Sequence, residues 1–97
     1  MAVRRFPVRG EIDLAAVPEL QAKLDVLIAA TDDDLLFDCD GMTFIDSTGI
    51  GLFLYAQRAL EAQGRDCRIE NLNQRCRRPF EILGLIEVLG LDWLQKA

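Results

Sequence analysis

Histidine is absent from this 97-residue chain. That excludes Ser-His-Asp and Cys-His catalysis and removes the commonest metal ligand. Cysteine is scarce: Cys39, Cys67 and Cys76, an odd set with no Cys-x-x-Cys spacing. Such a set supplies neither a zinc site nor a disulfide framework, so reduced thiols are expected. No run of ~18 apolar residues occurs, so no membrane-spanning helix is expected. The start, Met-Ala-Val-Arg-Arg-Phe-Pro, lacks an apolar signal core, and a cytoplasmic location is expected. Cations are in deficit: 11 Lys and Arg against 16 Asp and Glu give a net charge of −5. That balance argues against nucleic acid as a partner. No Gly-x-x-x-x-Gly-Lys phosphate loop is present, and no general base of the His type stands ready for a serine, so an enzyme is not expected.

What is present is apolar: 51% of residues are hydrophobic, enough for one domain with a core, taken as residues 1–97. Arg4 to Ile12 reads as a strand, with Pro7 marking an edge or an interruption. Val17, Leu20, Leu24, Leu27 and Ile28 recur on one helical face, and Pro18 suits the first turn of that helix. Leu35-Leu36-Phe37 is a short buried strand bounded by aspartates. Ile50 to Ala62 has helix-forming composition, and Gly64 stops it. Cys67 to Leu72 reads as a third strand. Asn73 caps a third helix with Cys76, Phe80 and Leu83 on one face. Pro79 fits that helix badly, so it starts late, near Arg78, or is kinked. Leu85 to Leu94 forms an apolar tail anchored by Trp93. The alternation predicts an α/β fold, with a parallel-rich sheet of three or four strands and helices packed on it.

Between the second strand and second helix lies Asp38-Cys39-Asp40-Gly41-Met42-Thr43-Phe44-Ile45-Asp46-Ser47-Thr48-Gly49-Ile50-Gly51. Ser47 sits where a strand-derived loop enters the helix. It is expected to cap that helix by accepting from the N–H of Gly49 or Ile50. On a helical wheel Leu52, Phe53, Ala56, Ala59 and Leu60 face the sheet. Ile50 and Leu54 fall on the opposite, polar face, one and two turns from Ser47, with Gly51 beside them. Either a neighbouring helix covers them, or they form a small apolar patch rimmed by charge, as a protein-binding site does. A phosphate on Ser47 would add ~1.5–2 negative charges there. The helix N-terminus would favour it and Asp46 would oppose it. A partner that buries Ser47 would then bury an unpaired charge, at a cost. The arrangement suits an on/off interaction switch.

Phe44-Ile45-Asp46-Ser47-Thr48-Gly49-Ile50-Gly51 resembles the signature of STAS domains, the bacterial anti-sigma factor antagonists. Gly10-Glu11-Ile12-Asp13 with Val17-Pro18-Glu19-Leu20, Leu36-Phe37-Asp38-Cys39-Asp40-Gly41, Ala62-Gln63-Gly64 and Ile82-Leu83-Gly84-Leu85 resemble the family's other blocks, in order. The resemblance implies a mixed sheet with helices on one side. It implies that Ser47 is the phosphoacceptor of a partner that is both serine kinase and anti-sigma factor. Unphosphorylated, the domain would bind that partner and free a sigma factor, and a phosphatase would reset it. No cofactor is implied, since ATP-Mg would belong to the kinase. Asp13 and Asp46 match acidic positions near the serine and are carried over as interface residues beside Ser47, Thr48, Gly49, Ile50 and Leu54.

The chain departs from the family pattern. The first strand of the family's opening hairpin is absent or reduced to Met1-Ala2-Val3, and the final helix is not evident. Exposed edges would promote weak dimerisation. Arg75, Arg77 and Arg78 read as a solvated face or as a contact for an acidic partner. A competing reading is a structural or regulatory STAS-type subunit of a lipid or anion transporter, or of a stress-signalling assembly. Such a subunit needs no phosphorylatable serine. A phospho-aspartate receiver on Asp38 or Asp40 is disfavoured, because no Lys follows the third strand.

Overall fold

The structure, a computed structural model, describes residues 2–82. Leu83, expected on the face of the third helix, and the apolar tail Leu85 to Leu94, expected to be anchored by Trp93, lie outside the described residues. The elements run β1 (Val3–Ile12), α1 (Val17–Ala30), β2 (Asp34–Ile45), α2 (Ser47–Glu61), β3 (Cys67–Glu70) and α3 (Gln74–Ile82). The sheet order is β1-β2-β3, and both pairings are parallel. Successive crossovers advancing in one direction, with the usual right hand, bring their helices to the same side of a sheet. One apolar cluster accordingly joins Leu24 and Ile28 of α1, Phe53, Ala56 and Leu60 of α2, and Cys76 and Phe80 of α3 to Leu35, Phe37 and Ile69 of the sheet. A chain of rings runs through it, Phe6–Phe37, Phe37–Phe53 and Phe53–Phe80, with centroids 5.7, 4.8 and 5.9 Å apart. The other sheet face is charged: Arg5 pairs with Asp38 at 2.6 Å, and Arg68 with Glu70 at 3.8 Å.

Two boundaries differ from the expectation. β2 does not end at Phe37 but continues to Ile45, and β3 is shorter, ending at Glu70. Pro7 pairs with Asp38 while Arg9 pairs with Gly41, and Gly10 pairs with Met42 while Glu11 pairs with Phe44. At each step β2 carries one residue more than β1. These bulges shift the inward phase from Phe37 and Cys39 to Met42 and then Ile45, all buried. They therefore let Asp40 and Gly41 sit exposed within a strand.

The third helix does not start late, near Arg78. It begins at Gln74, capped by Asn73, whose Oδ1 accepts from the Cys76 N–H at 2.9 Å. Pro79 lies inside it. Gly64 ends α2 as expected, with φ 70° in the left-handed region. The Gly64 N–H donates to Glu61 C=O and the Arg65 N–H to Leu60 C=O, the paired bonds of a Schellman stop.

That stop delivers a residue that pattern alone did not mark. Arg65 is 7% exposed. Its Nε donates to Asp33 C=O at 2.7 Å, and its Nη1 donates to Ile28 C=O at 3.0 Å and Gln63 Oε1 at 2.9 Å. A cation thus closes the C-terminal end of α1, where helix carbonyls lack partners and the dipole favours positive charge.

Candidate functional site

The site is built where β1 and β2 end. Ile12 and Ile45 are register partners, and the Asp46 N–H donates to Ile12 C=O at 3.3 Å. Asp13 and Asp46 therefore leave neighbouring parallel strands at the same sheet edge, the edge at which open α/β sheets bind ligands. Asp13 shapes the turn into α1: its Oδ1 accepts from the N–H groups of Ala15 and Ala16, each at 3.1 Å.

Ser47 is not the cap expected of it. Asp46 is the N-cap of α2, with extended backbone (φ −112°, ψ −173°), and its Oδ1 accepts from the Gly49 N–H at 3.0 Å. Both residue types cap well. The choice falls on Asp46 because β2 runs to Ile45 and leaves Asp46 as the last extended residue. Ser47 becomes the first helical residue, exposed, and its hydroxyl has no hydrogen-bond partner among the described residues. Helix geometry also leaves the N–H groups of Ser47 and Thr48 without intrahelical acceptors. Thr48 is half-buried beside them.

Gly49 is where the helix meets the strands. A Cβ there would stand 2.4 Å from Ile12 O, 2.8 Å from Ile45 Cγ1 and 2.9 Å from Ile12 Cγ2. No side chain fits without moving α2 away from the sheet edge.

Ile50 does not lie on the outward face to which the helical wheel assigns it; it is 2% exposed and belongs to the core. At ~100° per residue it lies only about 60° from Phe53, whose ring meets Phe80 of α3. That flank of α2 is covered, so Ile50 goes inside with it. Leu54 is half-buried and stays at the surface. With Gly51, Tyr55, Arg58 and Ala59 it lines an open, mainly apolar depression of about 520 Å³. Ser47 lies on the same outward arc, one turn before Gly51. On the far flank the Tyr55 hydroxyl donates to Asp25 Oδ1 of α1 at 2.5 Å, and this bond raises the tyrosine above its ordinary pKa.

Leu14, one residue after Asp13, was not singled out in the sequence. It is 72% exposed at the same sheet edge. Its signal was a leucine in a turn that opens a helix, outside that helix's apolar face. Of the three arginines read as a solvated face or a contact for an acidic partner, Arg75 and Arg78 are exposed and Arg77 is half-buried. Arg77 Nε pairs with Glu81 at 2.7 Å, whereas Arg75 lines a separate groove with Asp40, Thr43 and Asn73.

Asp38 is held below its ordinary pKa, first by the Asn71 side-chain donor and then by the Asp40 N–H and Arg5. Burial pushes the Cys39 and Cys67 thiols up to about 12, and raises Cys76 as well. All three cysteines are free. Cys39 lies within β2, which continues to Ile45. Cys67 pairs in register with Leu35, four residues from Cys39 and therefore roughly 13 Å away along the strand, beyond disulfide reach. Among the described residues no cluster could hold a metal ion, and no helix is long and apolar enough to cross a membrane.

The STAS domain family model matches residues 2–96. The chain is 34% identical over 85 residues to the anti-sigma-B factor antagonist of Bacillus subtilis, covering 88% of this chain and 77% of that one. To the protein of the same name from Staphylococcus aureus it is 33% identical, covering 88% and 79%. Among solved structures it resembles the unphosphorylated anti-sigma factor antagonist SpoIIAA, at 25% identity and a TM-score of 0.72, over 99% of this chain and 90% of that one. The phosphorylated form of the Bacillus cell fate determinant SpoIIAA matches with a TM-score of 0.65 and 27% identity, over 91% and 77%. A sulfate transporter family protein from Wolinella succinogenes shares the fold, with a TM-score of 0.77 at 24% identity, over 91% and 71%.

Proposed function

The chain belongs to the STAS domain family, and on that premise we propose that it is an anti-sigma factor antagonist, switched by phosphorylation of Ser47. In the unmodified state it binds an anti-sigma factor that is also a serine kinase, and so releases a sigma factor for transcription. It works in the cytoplasm as a binding module. ATP-Mg is the kinase's, and a phosphatase reverses the modification.

One observation carries the reading. Ser47 is exposed at the first turn of α2 with an uncommitted hydroxyl, because Asp46 does the capping. The Ser47 Oγ is thus available to attack the γ-phosphorus of the kinase's ATP. The new Oγ–P bond forms as the bond to the β-phosphate oxygen breaks, and the hydroxyl proton passes to a base of the kinase. The product adds ~1.5–2 negative charges next to Asp46. The N–H groups and dipole of α2 offset part of that repulsion while the site faces water. Under a partner the same charge is desolvated, and the complex is lost.

The experiment is a three-component release assay. A sigma factor bound to its anti-sigma kinase is titrated with the chain. Wild type and Ser47→Ala should release the sigma factor, whereas Ser47→Glu and Leu54→Asp should not, with all four proteins folded by thermal melt. Equal release by Ser47→Ala and Ser47→Glu would defeat the switch.

A further inference from the structure

Gly51 has no internal reason to be glycine. It lies within α2, is exposed, and a Cβ built on it meets nothing within 4 Å. Its backbone is helical, so no left-handed conformation requires it. A glycine at such a position weakens a helix relative to alanine. Two residues earlier, Gly49 is fixed by the collision with Ile12. The two glycines of one motif thus have different origins, and that of Gly51 lies outside this chain.

The consequence of the missing side chain is the depression lined by Gly51, Leu54, Tyr55, Arg58 and Ala59. Gly51 stands at its Ser47 end. Four residues of helix separate the two, a rise of about 6 Å. The charges around this strip differ along its length. Asp46 and Asp13 leave the sheet edge at the Ser47 end. Arg58, roughly 16 Å from Ser47 along the axis, is exposed and its guanidinium has no carboxylate partner among the described residues.

We propose that Gly51 is a recognition residue whose missing side chain opens this depression to one apolar side chain of the anti-sigma kinase, with an acidic group of the kinase set against Arg58. The inference rests on the reading of Ser47 as the phosphoacceptor. It adds the chemistry of the partner: an apolar anchor about 6–10 Å from the point of phosphoryl transfer, basic groups facing Asp46 and Asp13, and an acid beyond the anchor. It also makes Gly51 a residue at which function lowers stability.

The probe is the purified anti-sigma kinase, from those encoded in the same genome, that phosphorylates the wild-type chain. Its affinity for each variant is measured by calorimetry with Mg-ADP, and KM and kcat by phosphate incorporation. Gly51→Ala should melt about 3–6 °C higher than wild type, as helix propensity and domain size require. It should bind several-fold more weakly. Gly51→Leu should also melt higher, yet bind at least about tenfold more weakly, with the loss in KM and not in kcat. Arg58→Glu should weaken binding by about tenfold, and less so in high salt.

Wild-type affinity of Gly51→Leu, with Ser47→Glu still unable to bind, would overturn this inference alone. A change in self-association of Gly51→Leu with unchanged kinase affinity would assign the depression to a second copy of the chain, and would overturn it too. A wild-type chain that no anti-sigma kinase modifies would overturn the reading of Ser47 and this inference with it.

Discussion

Replacing Gly49 by alanine isolates the contact that sets α2 against the sheet edge. The added Cβ would lie 2.4 Å from a backbone oxygen, Ile12 O, and under 3 Å from side-chain carbons of Ile12 and Ile45. Neither isoleucine has room to yield, since they are 1% and 3% exposed. The helix must move instead. That movement stretches the Asp46 N–H bond to Ile12 and disturbs the Asp46 cap on Gly49. Overpacking of this kind costs ~1–3 kcal/mol, and a collision with backbone belongs at the upper end. Alanine's helix propensity returns less than ~1 kcal/mol in a first turn. The net expectation is a loss of about 2 kcal/mol, or a melting point lower by about 8–16 °C for a domain of this size. Calorimetric melts of Gly49→Ala and Gly51→Ala, side by side, give the answer: the first should fall and the second should rise. A Gly49→Ala protein that melts at or above the wild-type temperature would refute the account of how α2 is seated.

Other outcomes follow from the same geometry. Asp46→Ala should cost about 1 kcal/mol through the lost cap, whereas Ser47→Ala should stay within about 0.5 kcal/mol of wild type; urea titrations compare them, and the reverse ranking would return the cap to Ser47. Arg65→Ala should cost about 2–3 kcal/mol, because Ile28 C=O and Asp33 C=O lose a charged donor inside the fold; a loss under about 0.5 kcal/mol would make its bonds ornamental. Burial favours the neutral thiols of Cys39 and Cys67, so their contribution to stability is full below the ordinary value of 9 and is lost as pH rises towards about 12. Melting temperatures should therefore fall across that window in wild type, and fall less in Cys39→Ala measured against its own neutral-pH value.

How far the chain's pattern reached depended on whether a residue's role was local. Leu24 and Ile28 face the core and Pro18 sits in the first turn of α1, because helix periodicity and proline's fixed φ act within one turn. Asn73 and Gly64 did what their types favour at helix ends. The length of β2 was not legible, because Asp38, Asp40 and Gly41 favour turns and two bulges break the period-2 alternation. The motif marks the candidate site, yet the roles inside it needed the third dimension. Asp46 and Ser47 are both good caps by composition, and only the reach of β2 decides between them. Ile50 sits at the margin of the buried arc, and its fate hangs on α3 covering that flank. Arg65 is buried by partners 32 and 37 residues away, which no local pattern shows.

The most direct measurement is of the serine itself. The chain is incubated with its anti-sigma kinase and ATP-Mg, the modified residue is mapped by mass spectrometry, and the purified modified form is titrated against the kinase. A single phosphoryl group on Ser47, with binding weakened at least about tenfold, or ~1.4 kcal/mol, is the expected result. Modification of Thr48 or Thr43 with Ser47 untouched, or a phosphorylated chain that binds as tightly as the unmodified one, would contradict the switch.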